Sequence, residues 1–311
     1  MEIIRDIKNF KPIKNSALTI GSYDGIHIGH RKILSSLVNY SRSKNIPSVL
    51  ITFNPHPRYV VSNNNKLSLI MSMEEKIGII KELGIDYIYI IHFTKEFSST
   101  TAKIFLDETV VFYFNPESIF VGYNHHFGKN REGNKEFLNA FCSKRNISLK
   151  VIKPVCHKVN EISSTRIRQL IHNGKIKKAN TELGAPYAFN AKVVVGEGRG
   201  KGLKFPTANV IPLEKKQLMP KIGVYFISGR IDGLRVFGMC NFGTRPTFKE
   251  NDLIMEIHFF NGDSYDIYGK EIRVEFLERI RDEKKFPSPE KLIEQLKIDK
   301  KDCLTLQSKY E

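Results

Sequence analysis

The stretch Leu18-Thr19-Ile20-Gly21-Ser22-Tyr23-Asp24-Gly25-Ile26-His27-Ile28-Gly29-His30 decides how the first half of this chain is read. An apolar run breaks into glycines and ends on two histidines three residues apart. The pattern predicts a buried strand over residues 17–20, a tight turn, and a helix over 30–43. That helix carries Ile33, Leu34, Leu37 and Val38 at helical spacing, so it can pack on a sheet. Gly21, Gly25 and Gly29 have no Cβ and let a bulky anion approach the main chain. The helix start adds N–H groups without intrahelical partners and the positive end of a dipole. His27 and His30, one helical turn apart, can donate to the same phosphate oxygens. The competing reading is two surface histidines in a glycine-rich loop; the ordered strand, turn and helix favour the phosphate site.

Outward from this turn, residues 49–53 read as a strand and 74–83 as a helix stopped by Gly84. Strands at 86–93 and 119–122, helices at 101–109 and 136–144, and an extended run at 149–154 follow. Such alternation with short connections predicts a parallel sheet covered on both faces. Ligands of these sheets bind beyond the carboxyl ends of the strands, where the turn lies. From about residue 185 helical periods nearly vanish. Short β-rich runs appear at 191–195, 223–227, 236–241, 254–260 and 272–276, with the hairpin pair Asp232-Gly233 between two of them. They predict a small antiparallel barrel. Ser288-Pro289 predicts the start of a last helix that turns Leu292, Ile293 and Leu296 toward a core. The expected organisation is an α/β, Rossmann-like domain over 1–184 and a β-barrel domain with a terminal helix over 185–311.

The 311 residues, 41% hydrophobic and 26% charged, describe a globular chain long enough for two cores. No apolar segment approaches membrane-spanning length, and Met1-Glu2-Ile3-Ile4-Arg5-Asp6 does not resemble a secretory leader. Cys142, Cys156, Cys240 and Cys303 have no paired spacing, which suits reduced thiols in a cytoplasm. The net charge of +16 invites a nucleic-acid partner, but the basic residues are spread along the chain in short clusters. A solvated basic surface that also favours anionic small substrates is the expectation, with no obligate nucleic acid and no membrane.

Two further constellations carry chemistry. In Ile162-Ser163-Ser164-Thr165-Arg166-Ile167-Arg168, hydroxyls and Arg168 at a helix start make a second phosphate clamp beside the two-histidine turn. Transfer of an adenylyl group between phosphates needs no covalent nucleophile, only in-line placement and charge neutralisation. His27, His30, Arg168 and a divalent ion suit that work. Downstream, residues 196–202 are glycine-rich but lack the spacing of a P-loop, since Lys201 precedes Gly202. For these glycines alone a flexible loop is the stronger reading, and Gly198 and Gly202 remain candidate phosphate contacts. Pro206-Thr207-Ala208-Asn209 is sharper, because a hydroxyl and an amide two residues apart can reach a hard cation and its phosphates. Glu256, within an apolar strand, either lies on a wet face or can take a proton from a substrate hydroxyl.

In this order the motifs resemble those of the bifunctional bacterial riboflavin kinase/FAD synthetases over nearly the whole chain. The family's strand–glycine–HxGH turn is matched at residues 21–30, its SSTxxR segment at 163–168 and its PTAN motif at 206–209. Residues 241–247, Tyr268-Gly269-Lys270 and 281–286 agree as well. The resemblance implies an N-terminal nucleotidyltransferase domain that adenylylates FMN to FAD, and a C-terminal six-stranded barrel that phosphorylates riboflavin. It places Gly21, Asp24, Gly25, His27, Gly29, His30, Ser163, Ser164, Thr165 and Arg168 at ATP phosphates. Pro55, Pro57, Asn124 and Arg281 would lie by flavin, and Thr207 and Asn209 would serve Mg²⁺–ATP. Glu256 would be the base acting on the ribityl 5′-hydroxyl. Departures are Tyr23 in place of phenylalanine, Asn124-His125 where Asp-Phe is common, and Asn54 where glutamate is frequent. Two other readings remain: a tRNA-linked adenylating enzyme carrying a HIGH-type signature, and a nucleotide- or RNA-binding protein with one degenerate site. Oligomerisation is compatible with all of them.

Overall fold

Hydrophobic runs short enough to be strands, separated by amphipathic segments long enough to be helices, build the N-terminal sheet. Its strands are β1 (Glu2–Ile4), β2 (Ser16–Ile20), β3 (Ser48–Asn54), β4 (Tyr87–His92), β5 (Pro116–Gly122) and β6 (Ser148–Ile152). They lie in the order β1-β4-β3-β2-β5-β6, and every neighbouring pair is parallel. The computed structural model describes residues 1–62, 67–195, 207–231, 233–244, 253–260 and 267–311, and leaves the side chains of Thr244 and Leu253 undescribed. All five residues of β2 are buried, as expected of a strand covered on both faces. Leu18, Val49, Ile51, Ile119 and Val121 form a core with Phe105, Phe114 and Leu138 from the covering helices. Connections run one way from β2 to β3 and β4 and the other way from β5 to β6. The switch point therefore falls between β2 and β5.

The helix after the glycine turn spans Ile28–Lys44, two residues earlier than the periodicity suggested, because His27 caps it. Its predicted face, Ile33, Leu34, Leu37 and Val38, is buried. Strand β1 escaped the sequence reading: three residues offer no period, and pairing with β4 alone makes them a strand.

The C-terminal half is all antiparallel. Strands β9 (Tyr187–Val194), β10 (Ala208–Pro212), β11 (Gly223–Ile231), β12 (Leu234–Thr244), β13 (Leu253–Phe259) and β14 (Glu271–Arg281) close a barrel in the order β10-β13-β12-β11-β14-β9. The β11–β12 pairing runs to Ile231↔Leu234, and Gly233 has φ +83° in the tight turn between them. Asp232, read as part of that turn, lies outside the described residues. The terminal helix Pro289–Gln307 begins as expected, with Ser288 Oγ accepting from Lys291 N at 3.4 Å. Ile293 and Leu296 pack on a cluster of Phe226, Met239, Leu277 and Cys303 outside the barrel interior.

The chain divides into two compact units, Met1–Leu67 with Met73–Ser164, and Ser68–Ser72 with Thr165–Glu311. The short Ser68–Ser72 segment belongs to the second unit because Leu69 bridges to Gln217, with Leu69 N donating to Lys216 O and Leu218 N to Leu69 O.

Candidate active sites

The N-terminal site is built at the carboxyl end of β2. Gly21 N donates to Ile51 O, and a Cβ on Gly21 would lie 2.8 Å from the Tyr23 ring. Tyr23 (φ +46°), Gly25 (φ +85°) and Ile26 (φ +31°) then reverse the chain through left-handed backbone. The Tyr23 hydroxyl bonds Thr19 Oγ1, which donates in turn to Phe120 O, and burial pushes the phenol up. The first helical hydrogen bond runs from Arg31 N to His27 O, so the N–H groups of Ile28 and Gly29 lie ahead of the ladder.

His27 Nδ1 accepts from His30 N at 3.3 Å. That capping bond fixes the tautomer, because a neutral ring accepting at Nδ1 carries its proton on Nε2 and donates from there. The two imidazoles stack with centroids 3.6 Å apart, and His30 meets the Tyr23 ring edge-on at 5.0 Å. Burial pushes His27 down to about 4, partly opposed by the Asp24 charge. Burial, then the nearby His27 and Lys76, holds His30 well below the ordinary histidine range. Both rings are neutral at neutral pH, and an anion placed beside them would favour their protonated forms.

This burial has a stability consequence. A histidine kept neutral in the folded chain binds protons more readily when unfolded. The stability it contributes is present above about pH 6.5 and is lost as pH falls toward about 4. For His27 the loss is expected to be on the order of 1–3 kcal/mol. Urea denaturation at a series of pH values measures it, and His27→Asn, which keeps a capping acceptor, should flatten the dependence.

The loops of neighbouring strands flank this turn. Because β3, β2 and β5 are adjacent and parallel, the Pro55–Pro57 loop, the glycine turn and Asn124 leave the sheet at one edge. Asn54–Pro55 is cis, and Pro57 opens the short helix Pro57–Val61 behind a His56 cap. Asn124 Nδ2 donates to Glu161 Oε1 at 2.9 Å, tying the β5 loop to the hairpin of β7 (Cys156–His157) and β8 (Asn160–Glu161). Beside it, burial pushes His125 down to about 4. Ser164, at the start of the helix Ser164–His172, donates from Oγ to the Asp24 carbonyl at 2.8 Å. The hydroxyl segment is thus held directly on the glycine turn. Ser163 and Thr165 flank that contact, and Arg168 Nε donates to Ser68 O at 2.9 Å within the second unit.

In the barrel, register settles what spacing left open. Asn209 of β10 pairs with Glu256 of β13, and Glu256 pairs with Asn241 of β12. Residues directly opposite one another share a face of the sheet. Their neighbours Ala208, Val210, Met255, Ile257, Cys240 and Phe242 are buried, whereas Asn209 and Glu256 are half-buried and Asn241 is exposed. Glu256 therefore sits on the outer face of the wall rather than in the barrel interior, in one row with two amides. Burial and the Glu256 charge together push the Cys240 thiol up behind it. Thr207 lies just ahead of β10. Gly198, Gly202 and Pro206 lie outside the described residues, as do 245–250.

Arg281 is engaged elsewhere. Its Nε donates to Asp299 Oδ1 at 2.9 Å and its Nη2 to Oδ2 at 2.7 Å, and Gln295 also donates to that carboxylate. Asp299 is 1% exposed, so the pair is a buried strut from β14 to the terminal helix. Asp299→Ala leaves a guanidinium buried without its counter-charge. It is expected to cost the barrel unit roughly 3–5 kcal/mol in chemical denaturation.

Two residues with a place in these sites were not singled out in the sequence. Lys76 occupies the buried face of the helix Met73–Glu82, one turn before Ile80, and its Nζ donates to Ser22 O at 2.7 Å. A lysine at a core position of an amphipathic helix was the available signal. Asn241 stood only within the matched segment 241–247, and strand register is what brings it to Glu256.

A parallel-sheet unit with an HxGH turn at its switch point, followed by a closed antiparallel barrel carrying a carboxylate–amide row, defines a two-site nucleotide-dependent transferase. Residues 10–166 match the FAD synthetase family model and residues 183–306 the riboflavin kinase model. The chain belongs to the bifunctional riboflavin kinase/FMN adenylyltransferase family. It is 34% identical to the Buchnera aphidicola member (96% of each chain), and 32% to those of Listeria monocytogenes (96% of this chain, 94% of that one) and Escherichia coli (96% of each). A solved Streptococcus pneumoniae chain described as a macrolide-efflux protein superposes with a TM-score of 0.87 at 31% identity, covering 96% of this chain and 97% of that one. Among the described residues no helix is long and apolar enough to cross a membrane. The activities are those of the family: phosphorylation of riboflavin to FMN and adenylylation of FMN to FAD, both with ATP.

Proposed function

We propose that the 21–30 turn is the adenylylation site and the Asn209–Glu256–Asn241 row the riboflavin phosphorylation site, within domains spanning 1–184 and 185–311. The stacked, capped His27–His30 pair at a helix N-terminus carries the first assignment. His27 Nε2–H, His30 and the N–H groups of Ile28 and Gly29 receive the ATP phosphates, joined by Gly21, Asp24, Gly25, Ser163, Ser164, Thr165 and Arg168. The FMN phosphate oxygen attacks the α-phosphorus; the new P–O bond forms as the bond to pyrophosphate breaks, and charge grows on the departing oxygen. Donors already aimed there stabilise that charge without reorganising. Pro55, Pro57 and Asn124, at the same sheet edge, face the flavin.

In the barrel, Glu256 takes the proton of the ribityl 5′-hydroxyl as its oxygen attacks the γ-phosphorus, and ADP leaves. Thr207 and Asn209 supply hard oxygen donors, and among the described residues no cluster of three or more His, Cys, Asp or Glu forms a metal cage. That donor set suits Mg²⁺, which keeps waters and phosphate oxygens as most of its ligands. When bound, the ion neutralises phosphate charge. Arg281, held by Asp299, supports the wall. Free Cys142, Cys156, Cys240 and Cys303 fit a reducing cytoplasm. The test is a time course with riboflavin, ATP and Mg²⁺ followed by chromatography. FMN should appear first and FAD after it, and excess chelator should stop FMN formation. FAD arising without an FMN intermediate would contradict the assignment of two successive sites.

A further inference from the structure

Beneath the 21–30 turn lies a cation that the chemistry above leaves without a task. Lys76 is 5% exposed, the buried lysine among the described residues, while Ile80 one turn further on is fully buried. A leucine or methionine would fill that core position without desolvating a charge, so the ammonium calls for a role. Its Nζ donates to the Ser22 carbonyl at 2.7 Å, which Thr52 Oγ1 also approaches at 3.4 Å. The titratable groups around it among the described residues are Asp24, 1% exposed, from the turn, and the neutral His30 from the helix Ile28–Lys44, with His27 stacked on His30. The backbone it supports is the left-handed run at Tyr23, Gly25 and Ile26. Such conformations persist only where the surroundings over-determine them.

We propose that Lys76 is a positioning residue for adenylyl transfer: its ammonium pins the Ser22 carbonyl and balances the buried Asp24 charge, so that the turn and His30 meet the nucleotide phosphates in productive geometry. The proposal rests on reading the turn as the adenylylation site. Lys76 acts through the turn, so its loss falls on the rate of the chemical step. A displacement of about 1 Å at such a site costs on the order of 10²-fold. Burial, opposed by Asp24, pushes Lys76 down to about 8. The ammonium is therefore present at neutral pH and lost as pH rises through that value.

The test scores FMN-to-FAD conversion and riboflavin phosphorylation side by side on the full chain. In the unaltered protein, kcat/KM for ATP in FAD synthesis should fall as pH rises beyond about 8, approaching tenfold per pH unit. A flat profile to about pH 9.5 overturns the proposal without any variant. Lys76→Met should lower kcat for FAD synthesis about 10²-fold, with KM for ATP little changed and riboflavin phosphorylation untouched. Lys76→Arg, charged throughout this range, should recover part of the rate and show no alkaline fall. A Lys76→Met protein with near-normal kcat, or with its loss confined to KM, overturns the proposal. Urea denaturation identifies a variant whose N-terminal unit has unfolded, and the profile of the unaltered chain then decides. If His30→Ala abolishes FAD synthesis and Lys76→Met does not, the positioning role fails while the site stands.

Discussion

His30→Ala is expected to reduce FMN adenylylation by about 10²–10³-fold while riboflavin is still converted to FMN. His30 sits at the third position of the helix that starts the site, with its ring against His27 and Tyr23. Its Nδ1 is buried without a hydrogen-bond partner, a cost the fold accepts where a ligand is to complete the set. In the proposed mechanism, removing the ring deletes a donor to the growing charge; it also unstacks His27, whose own cap on His30 N survives because the backbone is unchanged. Chromatography of riboflavin, FMN and FAD over time gives the result directly: FMN accumulates and FAD does not follow. Unimpaired FAD formation in this variant would remove the turn from the mechanism.

Glu256→Gln is expected to show the reverse pattern, with riboflavin phosphorylation down by about 10²–10⁴-fold and supplied FMN still converted to FAD. Glutamine preserves shape and the cross-strand row with Asn209 and Asn241, so the strand pairing should hold. Only the ability to take a proton is lost. The substitution also removes the negative charge that helps raise the Cys240 thiol, so that thiol should titrate lower in the variant. This second readout shows that the substituted side chain occupies its native place. Riboflavin phosphorylation at the normal rate would reduce Glu256 to a solvated strand carboxylate.

Much of the candidate N-terminal site was legible because its pattern is local. Glycine placement, the strand before it and the histidine spacing lie within 13 residues of Leu18–His30, and each follows from backbone geometry over one or two turns. The barrel's other strands are visible as β-rich runs, whereas β10 shows only as a motif, since the five residues Ala208–Pro212 are too few to show a period. Arg281 is a related case: Asp299, its buried partner, comes from a helix whose docking no local pattern reports.

The amino-acid sequence by itself determined the order of domains, the glycine turn, the helix that follows it and the identity of the candidate base. Tertiary structure alone decided that Lys76 lies under a turn some 50 residues upstream, that Glu256 faces outward between two amides, and that both site histidines are neutral. The division has a physical origin. Torsional preference and side-chain period act over a few neighbouring residues and are written in spacing. Strand register and desolvation arise from packing between distant segments, and they exist only once the core has formed.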